Sequence, residues 1–567
     1  MTSRDRAKVH VPRAALLEAL RARFGHPSFR AGQEEVIRSL LEQRDVLAVL
    51  PTGAGKSVVY VLAAQFLPGL TIVVSPLLAL MKDQVDALAA TGVDARALNS
   101  AQSESAMEEA LESATRGDTR LLYVTPERFD NVDFVHRLRE VSVSLFVVDE
   151  AHSISEWGHS FRPAYLSLSS AIAQLGRPPV LALTATATPW VRRDIIEQLG
   201  MREPHIVVRE TDRPNLFLEV VRVEEERQDR TILHQLFEGE LSPALPESLR
   251  EVMRGSGIIY TATTRAAEET AGWLKQWGIS AEYYHGRRTK TDRERVQSAF
   301  MEGQMQVIAA TNAFGLGIDK PDVRFVIHRD IPPSLEAYYQ EAGRAGRDGN
   351  LARCVLIYRV GDLGRAAFLA GGGELSREDV ALGRAGLVSL RSATPRELQK
   401  ATGLGRADVQ RLLELLESEG IVSRSRGRYR LLVDDFDEAA VPLEQEEQRR
   451  AYERSRLDMM RGYAELRECR RRYILNYFGE DSAWERCGRC DVDAQHAASG
   501  TRSAAHTDPV GPFAIHDRVV HASLGEGVVQ RVSGDTLSVL FDKVGYKTLG
   551  TDIVQEQHLL RKLVGPT

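Results

Sequence analysis

At 567 residues the chain is long enough for roughly three to five domains, each with a core of its own. Its net charge of −6 carries no overall basic bias, so any surface for nucleic acid is local, and four Cys in so long a chain argue for a reducing compartment. The opening MTSRDRAKVH lacks the apolar core of a signal peptide and no run of about 18 apolar residues crosses a membrane, so a cytoplasmic protein without a membrane partner is expected.

Apolar runs at 46–50, 71–75, 121–125, 145–149 and 179–183 alternate with helix-patterned segments, which predicts a parallel sheet covered on both faces. The first run leads into PTGAGKS and then the helix-like VVYVLAAQFL. In such a loop the backbone of Thr52, Gly53, Ala54 and Gly55 turns N–H groups toward phosphates at a helix N-terminus, Lys56 adds a point charge and the Ser57 hydroxyl reaches magnesium. Leu50 stands where the general pattern has its first Gly. The fourth run delivers Asp149 and Glu150 to the edge of the sheet, where Asp149 would hold magnesium and Glu150 polarise the attacking water. Just downstream, Trp157, His159, Phe161 and Arg162 form a loop of flat and cationic groups suited to stacking on bases and pairing with phosphates. The strand rhythm recurs at 257–261, 281–285, 306–311, 324–328 and 354–358, which makes two tandem lobes, 1–207 and 208–365. A phosphate loop on the first lobe needs a charge donor from the second, and Gln340, Arg344 and Arg347 in QEAGRAGR are spaced to share one helix face.

In order along the chain stand FRAGQEEVI, PTGAGKS, SPLLALMKDQV, LLYVTPERF, DEAHSISEWGHSFRP, ALTATAT, TDRPNL, FGLGIDKPDV and QEAGRAGRDG, spanning about residues 20 to 360. This set resembles the RecQ helicases of superfamily 2, and the aromatic loop after DEAH is particular to that family. The resemblance implies RecA-like lobes, ATP and magnesium as cofactors, and translocation 3′ to 5′ on single-stranded DNA with unwinding of tailed or branched duplexes in repair or recombination. It makes Arg347 the arginine finger, adds His152 to the catalytic residues and Asp319 to those that bind nucleotide, and casts Arg30 and Gln33 as the adenine reader. His26 occupies the place where the family carries a stacking aromatic. A bacterial, nucleoid-associated protein is expected. An alternative is a DNA-dependent translocase that remodels DNA or protein–DNA complexes without efficient unwinding; another is a DNA-binding scaffold, which would require a broken catalytic motif.

Beyond residue 360 the sequence departs from the family. Residues 375–435 read as helix, turn at Gly403 to Gly405, helix and two short strands, a winged-helix order in which Arg424, Arg426, Arg428 and Arg430 alternate so that several face phosphates. Residues 440–496 resemble the family's zinc-binding subdomain: Cys487 and Cys490 form a C-x2-C knuckle and Cys469 lies upstream, with Asp493 the preferred fourth ligand and His496 or water the alternatives. Cys354 reads as a core residue. Residues 497–512 are expected to be a flexible linker, and 513–563 a small SH3- or Tudor-like β-barrel that recruits a protein partner. No winged helix follows the zinc platform, so the family's strand-separating hairpin is not in its usual place.

Overall fold

The structure, a computed structural model, describes residues 8–563 apart from 52, 77, 99–103, 156–161, 210, 242–244, 316, 317, 319, 363–374, 426, 433–440, 481, 483, 500–512, 515, 516, 534, 535 and 543. Seven parallel strands build the first lobe: β1 (Val46–Val49), β2 (Leu70–Val74), β3 (Ala95–Leu98), β4 (Leu121–Val124), β5 (Val143–Val148), β6 (Val180–Thr184) and β7 (His205–Val208), in the order β3-β4-β2-β5-β6-β1-β7. The central strands are buried along their whole length because helices cover both faces, one apolar cluster on each side. The two edge strands, β3 and β7, are only partly buried. Their sequences, ARAL and HIVV, carry at most three consecutive apolar residues, shorter than the runs of the central strands, which is why pattern alone passes over them.

The second lobe repeats the plan with β8 (Leu216–Arg222), β9 (Ser256–Tyr260), β10 (Ala281–Tyr284), β11 (Val307–Ala310), β12 (Val323–His328) and β13 (Ala352–Tyr358), in the order β10-β11-β9-β12-β13-β8. Every pairing in both sheets is parallel. Loops leaving the carboxyl ends of β1, β5 and β6 therefore gather at one edge of the first lobe. Cys354 lies fully buried in β13, as expected, and burial pushes its thiol up to about 12.

A separate apolar cluster holds helices Arg377–Leu390, Pro395–Thr402 and Arg406–Ser418 against the antiparallel pair β14 (Val422–Ser425) and β15 (Arg428–Leu431). The expectation that several wing arginines share one face holds for two. Arg428 and Arg430 point outward on β15, whereas the turn between the strands puts Arg424 on the other face, over the Tyr429 ring at 5.5 Å; Arg426 lies outside the described residues. Arg428 also pairs with Glu397 at 2.9 Å.

Helices Leu443–Glu465, Arg470–Tyr477 and Asp491–Ser499 follow, then a five-stranded antiparallel sheet of β16 (Arg518–His521), β17 (Gly525–Ser533), β18 (Thr536–Phe541), β19 (Gly545–Gly550) and β20 (Leu560–Lys562), in the order β19-β18-β17-β16-β20. The expected linker is shorter than its composition suggests: residues 497–499 continue a helix, and 500–512 lie outside the described residues. Leu540 and Tyr546 of this sheet belong to the same apolar cluster as the second lobe and the zinc-binding helices. The module is thus packed into the body of the protein. A Cβ built on Gly545 would lie 3.0 Å from Tyr452 Cα, so this approach is closed to any other residue. Among the described residues no helix is long and apolar enough to cross a membrane.

Candidate active site and metal centre

The phosphate loop is shaped by glycines in left-handed backbone, Gly53 at φ +84° and Gly55 at φ +71°, and it ends where helix Lys56–Phe66 begins. Gln33 fastens this loop. Its Nε2 donates to Ala54 O at 2.8 Å and Gly55 O at 3.1 Å, while Oε1 accepts from Arg30 N at 2.9 Å, and the Arg30 guanidinium reaches Gly53 O. A Cβ on Gly55 would stand 2.9 Å from Gln33 Nε2, so FRAGQ and the phosphate loop are mutually fitted. His26 stacks on Phe24, with centroids 6.4 Å apart. Thr52 lies outside the described residues.

Asp149 and Glu150 leave β5 next to this loop. Glu150 adopts φ 48°, ψ 46°, a left-handed conformation that costs a non-glycine residue on the order of 1–3 kcal/mol and is kept where surrounding structure fixes it. Its Oε1 lies 4.0 Å from Lys56 Nζ; its buried Oε2 faces His152 Nδ1 at 3.4 Å and accepts no hydrogen bond among the described residues. Burial and the adjacent Glu150 carboxylate push Asp149 up to about 6, with Lys56 opposing. The oxygen donors of Ser57 and Asp149 fit a hard divalent cation such as magnesium, whose charge would favour the ionised form of the buried Asp149. Beneath it, Tyr165 donates to Asp149 O at 3.1 Å, and the Tyr60 and Tyr123 hydroxyls meet at 3.3 Å.

His152 sits under Glu150 with Nδ1 3.0 Å from Thr184 Oγ1, which in turn donates to Thr186 O at 3.0 Å. Burial, then the cations Lys56, Arg162 and Arg456, bring its imidazole down to about 3. Thr184 was not among the expected site residues, although it lies in ALTATAT, a motif already singled out. Arg162 is held by the Pro76 carbonyl at 3.3 Å and by its own N–H on Ser153 O at 2.9 Å; Trp157, His159 and Phe161 lie outside the described residues, as does Asp319.

The expectation that Gln340, Arg344 and Arg347 share one helix face is corrected. Helix Leu335–Ala342 holds Gln340 alone, because Gly343 ends it and Gly346, at φ +58°, turns the chain. The arginines ride on a loop braced by TDRPNL: Arg213 donates to the carbonyls of Gly343, Ala345 and Gly346 at 2.7–2.9 Å, and Asn215 Nδ2 to Gly346 O at 2.7 Å. Arg347 reaches across the cleft, its Cγ 3.8 Å from where a Cβ on Gly53 would stand. Arg344 instead turns inward beside Tyr260 and Gly315 of its own lobe.

Cys469, Cys487, Cys490 and Asp493 bring their ligand atoms within 4.8 Å of one another. Three sulfurs and one oxygen suit tetrahedral zinc, and the Asp493 carboxylate is anchored by Gly488 N, which donates to its Oδ2 at 3.0 Å. Thiol hydrogen bonds from Cys487 and Cys490 draw the Cys469 sulfur toward thiolate, the form a metal requires. His496 is not part of this cluster. The knuckle is fixed to edge strand β8, where Leu218 N donates to Arg489 O at 3.2 Å and Val220 N to Asp491 at 3.1 Å.

Residues 30–194 match the DEAD/DEAH box helicase family, 241–349 the helicase conserved C-terminal domain, and 406–494 the RecQ zinc-binding family. The probable ATP-dependent DNA helicase RecS of Bacillus subtilis is 35% identical over 498 residues, covering 85% of this chain and 93% of that protein. The chain belongs to the RecQ family. The ATP-dependent DNA helicases RecQ of Bacillus subtilis and Pasteurella multocida are each 42% identical over 348 residues, 61% of this chain. Of those two proteins the match covers 56% and 52%, so the chain spans about half of their length. Among solved structures, the DUF1998 helicase MrfA bound to DNA aligns with a TM-score of 0.50 at 15% identity, over 76% of this chain and 64% of that one, a likeness of fold. In this family member the zinc-binding match begins inside the preceding three-helix unit, at Arg406 of its third helix.

Proposed function

We propose that the chain is an ATP-dependent DNA helicase that translocates 3′ to 5′ on single strands and opens tailed or branched duplexes during DNA repair or recombination. The observation that carries this reading is Arg347 of the second lobe lying against Gly53 in the phosphate loop of the first. A nucleotide held there is touched by both lobes, so its hydrolysis changes their separation. Lys56 neutralises the outer phosphates, the left-handed backbone of Glu150 aims its carboxylate at the attacking water, and Arg347 stabilises charge on the transferring group. Magnesium, when bound by Ser57 and Asp149, screens the phosphate oxygens. Arg30 and Gln33, which brace the phosphate loop, address the adenine edge by exchanging those loop contacts, and Asp319 completes the nucleotide site. Gln340 relays between the lobes, Arg344 supports the arginine loop, and Trp157, His159, Phe161 and Arg162 meet the DNA bases and phosphates. Zinc on Cys469, Cys487, Cys490 and Asp493 keeps the platform rigid.

Residues 375–435 act as a winged helix whose Arg428 and Arg430 contact phosphates, and the terminal sheet is an SH3- or Tudor-like barrel that offers its edge strand β20 to a protein partner. A cytoplasmic, nucleoid-associated location suits this role. The test is ATPase activity with and without single-stranded DNA, beside unwinding of 3′-tailed and 5′-tailed duplexes. DNA-stimulated hydrolysis with unwinding of the 3′-tailed substrate is expected; hydrolysis indifferent to DNA overturns the reading. The position of the β14–β15 hairpin before the zinc-binding helices favours a second reading, a DNA-dependent translocase, which would hydrolyse ATP on DNA yet leave both duplexes intact.

A further inference from the structure

A buried polar cluster lies where four parts of the molecule meet. Arg456, on helix Leu443–Glu465, faces Glu336 of the second lobe with Nε 3.7 Å from Oε2, and both side chains are less than a tenth exposed. Tyr477 of the zinc-binding unit donates to the other Glu336 oxygen at 2.6 Å. Tyr546 of β19 stacks on Tyr477 with centroids 5.2 Å apart, and also lies against Tyr452, one helical turn before Arg456. The terminal sheet thereby closes the cluster from outside.

Each partner leads to the nucleotide site. Glu336 stands one turn before Gln340 on helix Leu335–Ala342, which runs directly into the loop of Arg344 and Arg347. Tyr477, the other partner of Glu336, is followed by Phe478, whose carbonyl accepts a hydrogen bond from the first lobe. The first lobe is tied to the same region: helix Pro189–Gln198, which follows ALTATAT, sends Arg192 to Phe478 O at 2.9 Å and receives Ser155, at the exit of DEAH, on Asp194 at 2.5 Å. A guanidinium and a carboxylate enclosed in this way hold one relative position, because separating them strands a charge in low dielectric.

We propose that Arg456 is a positioning residue of the ATPase: through Glu336 it sets the Gln340–Arg347 segment of the second lobe in register with the DEAH edge of the first, and the terminal sheet keeps that pair dry. This rests on the ATP-hydrolysis reading above. It makes turnover, rather than nucleotide affinity, depend on a residue outside both lobes.

The experiment compares the full-length wild type with Arg456→Lys, Arg456→Met and the paired Glu336→Gln/Arg456→Met variant, which removes both charges and leaves neither stranded. ATP hydrolysis is measured at saturating single-stranded DNA across ATP concentrations, with binding of a fluorescent ATP analogue and thermal melts alongside. The expected result for Arg456→Met and for the paired variant is a kcat about tenfold or more below wild type with KM for ATP within about twofold, and partial recovery of kcat in Arg456→Lys. A paired variant with wild-type kcat overturns the proposal. So does parallel loss of kcat, analogue binding and melting temperature in all three variants, which marks the cluster as structural only. Wild-type protein without DNA-stimulated hydrolysis sinks the enzyme reading and this proposal together, whereas an active wild type beside an unaffected paired variant sinks this proposal alone.

Discussion

Lys56 and Glu150 stand 4.0 Å apart across the phosphate loop, yet single substitutions at the two positions should separate binding from chemistry. Lys56→Ala removes the charge that meets the phosphates, so both nucleotide affinity and hydrolysis are expected to fall. Glu150→Gln keeps shape and hydrogen-bonding capacity, and is expected to bind nucleotide within a few fold of wild type while losing about 100-fold or more in kcat. Near-normal ATPase in either variant would refute the assignment. His152 gives a pH signature of its own. Its imidazole, ordinarily near 6.5, is brought down to about 3 by burial and by nearby cations. The unfolded chain therefore takes up a proton that the folded one refuses, and the stability this residue contributes is full above about pH 6.5 and lost as pH falls toward 3. Melts without nucleotide or added magnesium should show a steeper loss of melting temperature between pH 7.5 and 5 in wild type than in His152→Asn. Parallel slopes would mean that this side chain gains a proton in the folded state.

At the scale of elements, the zinc cluster is also a clamp on a sheet edge. Strand β8 ends the second sheet, and the knuckle occupies its free side through Leu218 and Val220. Purified protein is expected to carry one zinc per chain. Asp493→Ala should weaken that zinc, and chelation should lower the melting temperature of the second lobe; metal analysis that finds no zinc rejects the centre. The wing carries a separate expectation. Arg428→Ala and Arg430→Ala should weaken DNA binding regardless of base sequence, each reducing the slope of log affinity against log salt by about 1. These elements differ in how far the sequence announces them. Central strands such as LFVV and VLALT are continuous apolar runs because helices cover both faces, and motifs at their ends mark the catalytic edge. Edge strands β3, β7 and β8 lack that signature, having one side toward solvent or another subdomain. Spacing alone put Arg344 and Arg347 on the helix of Gln340, but Gly343 and Gly346 favour a turn, and the partners that stabilise it, Arg213 and Asn215, lie about 130 residues away. The alliance of Arg456 with Glu336 could not be found from the chain, since neither residue sits in a recognisable motif and only the fold brings them together.

Across the whole molecule, the apolar clusters divide the protein differently from its motifs. The first lobe has cores of its own, the helices around Leu398 and Leu412 have another, and the terminal sheet has one around Val529 and Phe541, while its Leu540 and Tyr546 join a core that the second lobe shares with the zinc-binding helices. Composition suggested a terminal module on a flexible linker. Packing indicates otherwise: Tyr546→Ala is expected to cost about 3 kcal/mol, and deletion of residues 500–567 to lower the melting temperature of the second lobe and its ATPase together. A truncated protein that melts and turns over like the full chain would show that this shared core contributes little. The close fit of Gly545 to Tyr452 bears on how such a chain can change over generations. A module that hangs free can be lost, duplicated or traded between relatives in one step, whereas one that, beyond its own core, also fills part of its neighbours' core must be inherited with them. The terminal sheet and the long helix beneath it are therefore expected to have diverged as a single heritable unit, and to fail when transplanted apart.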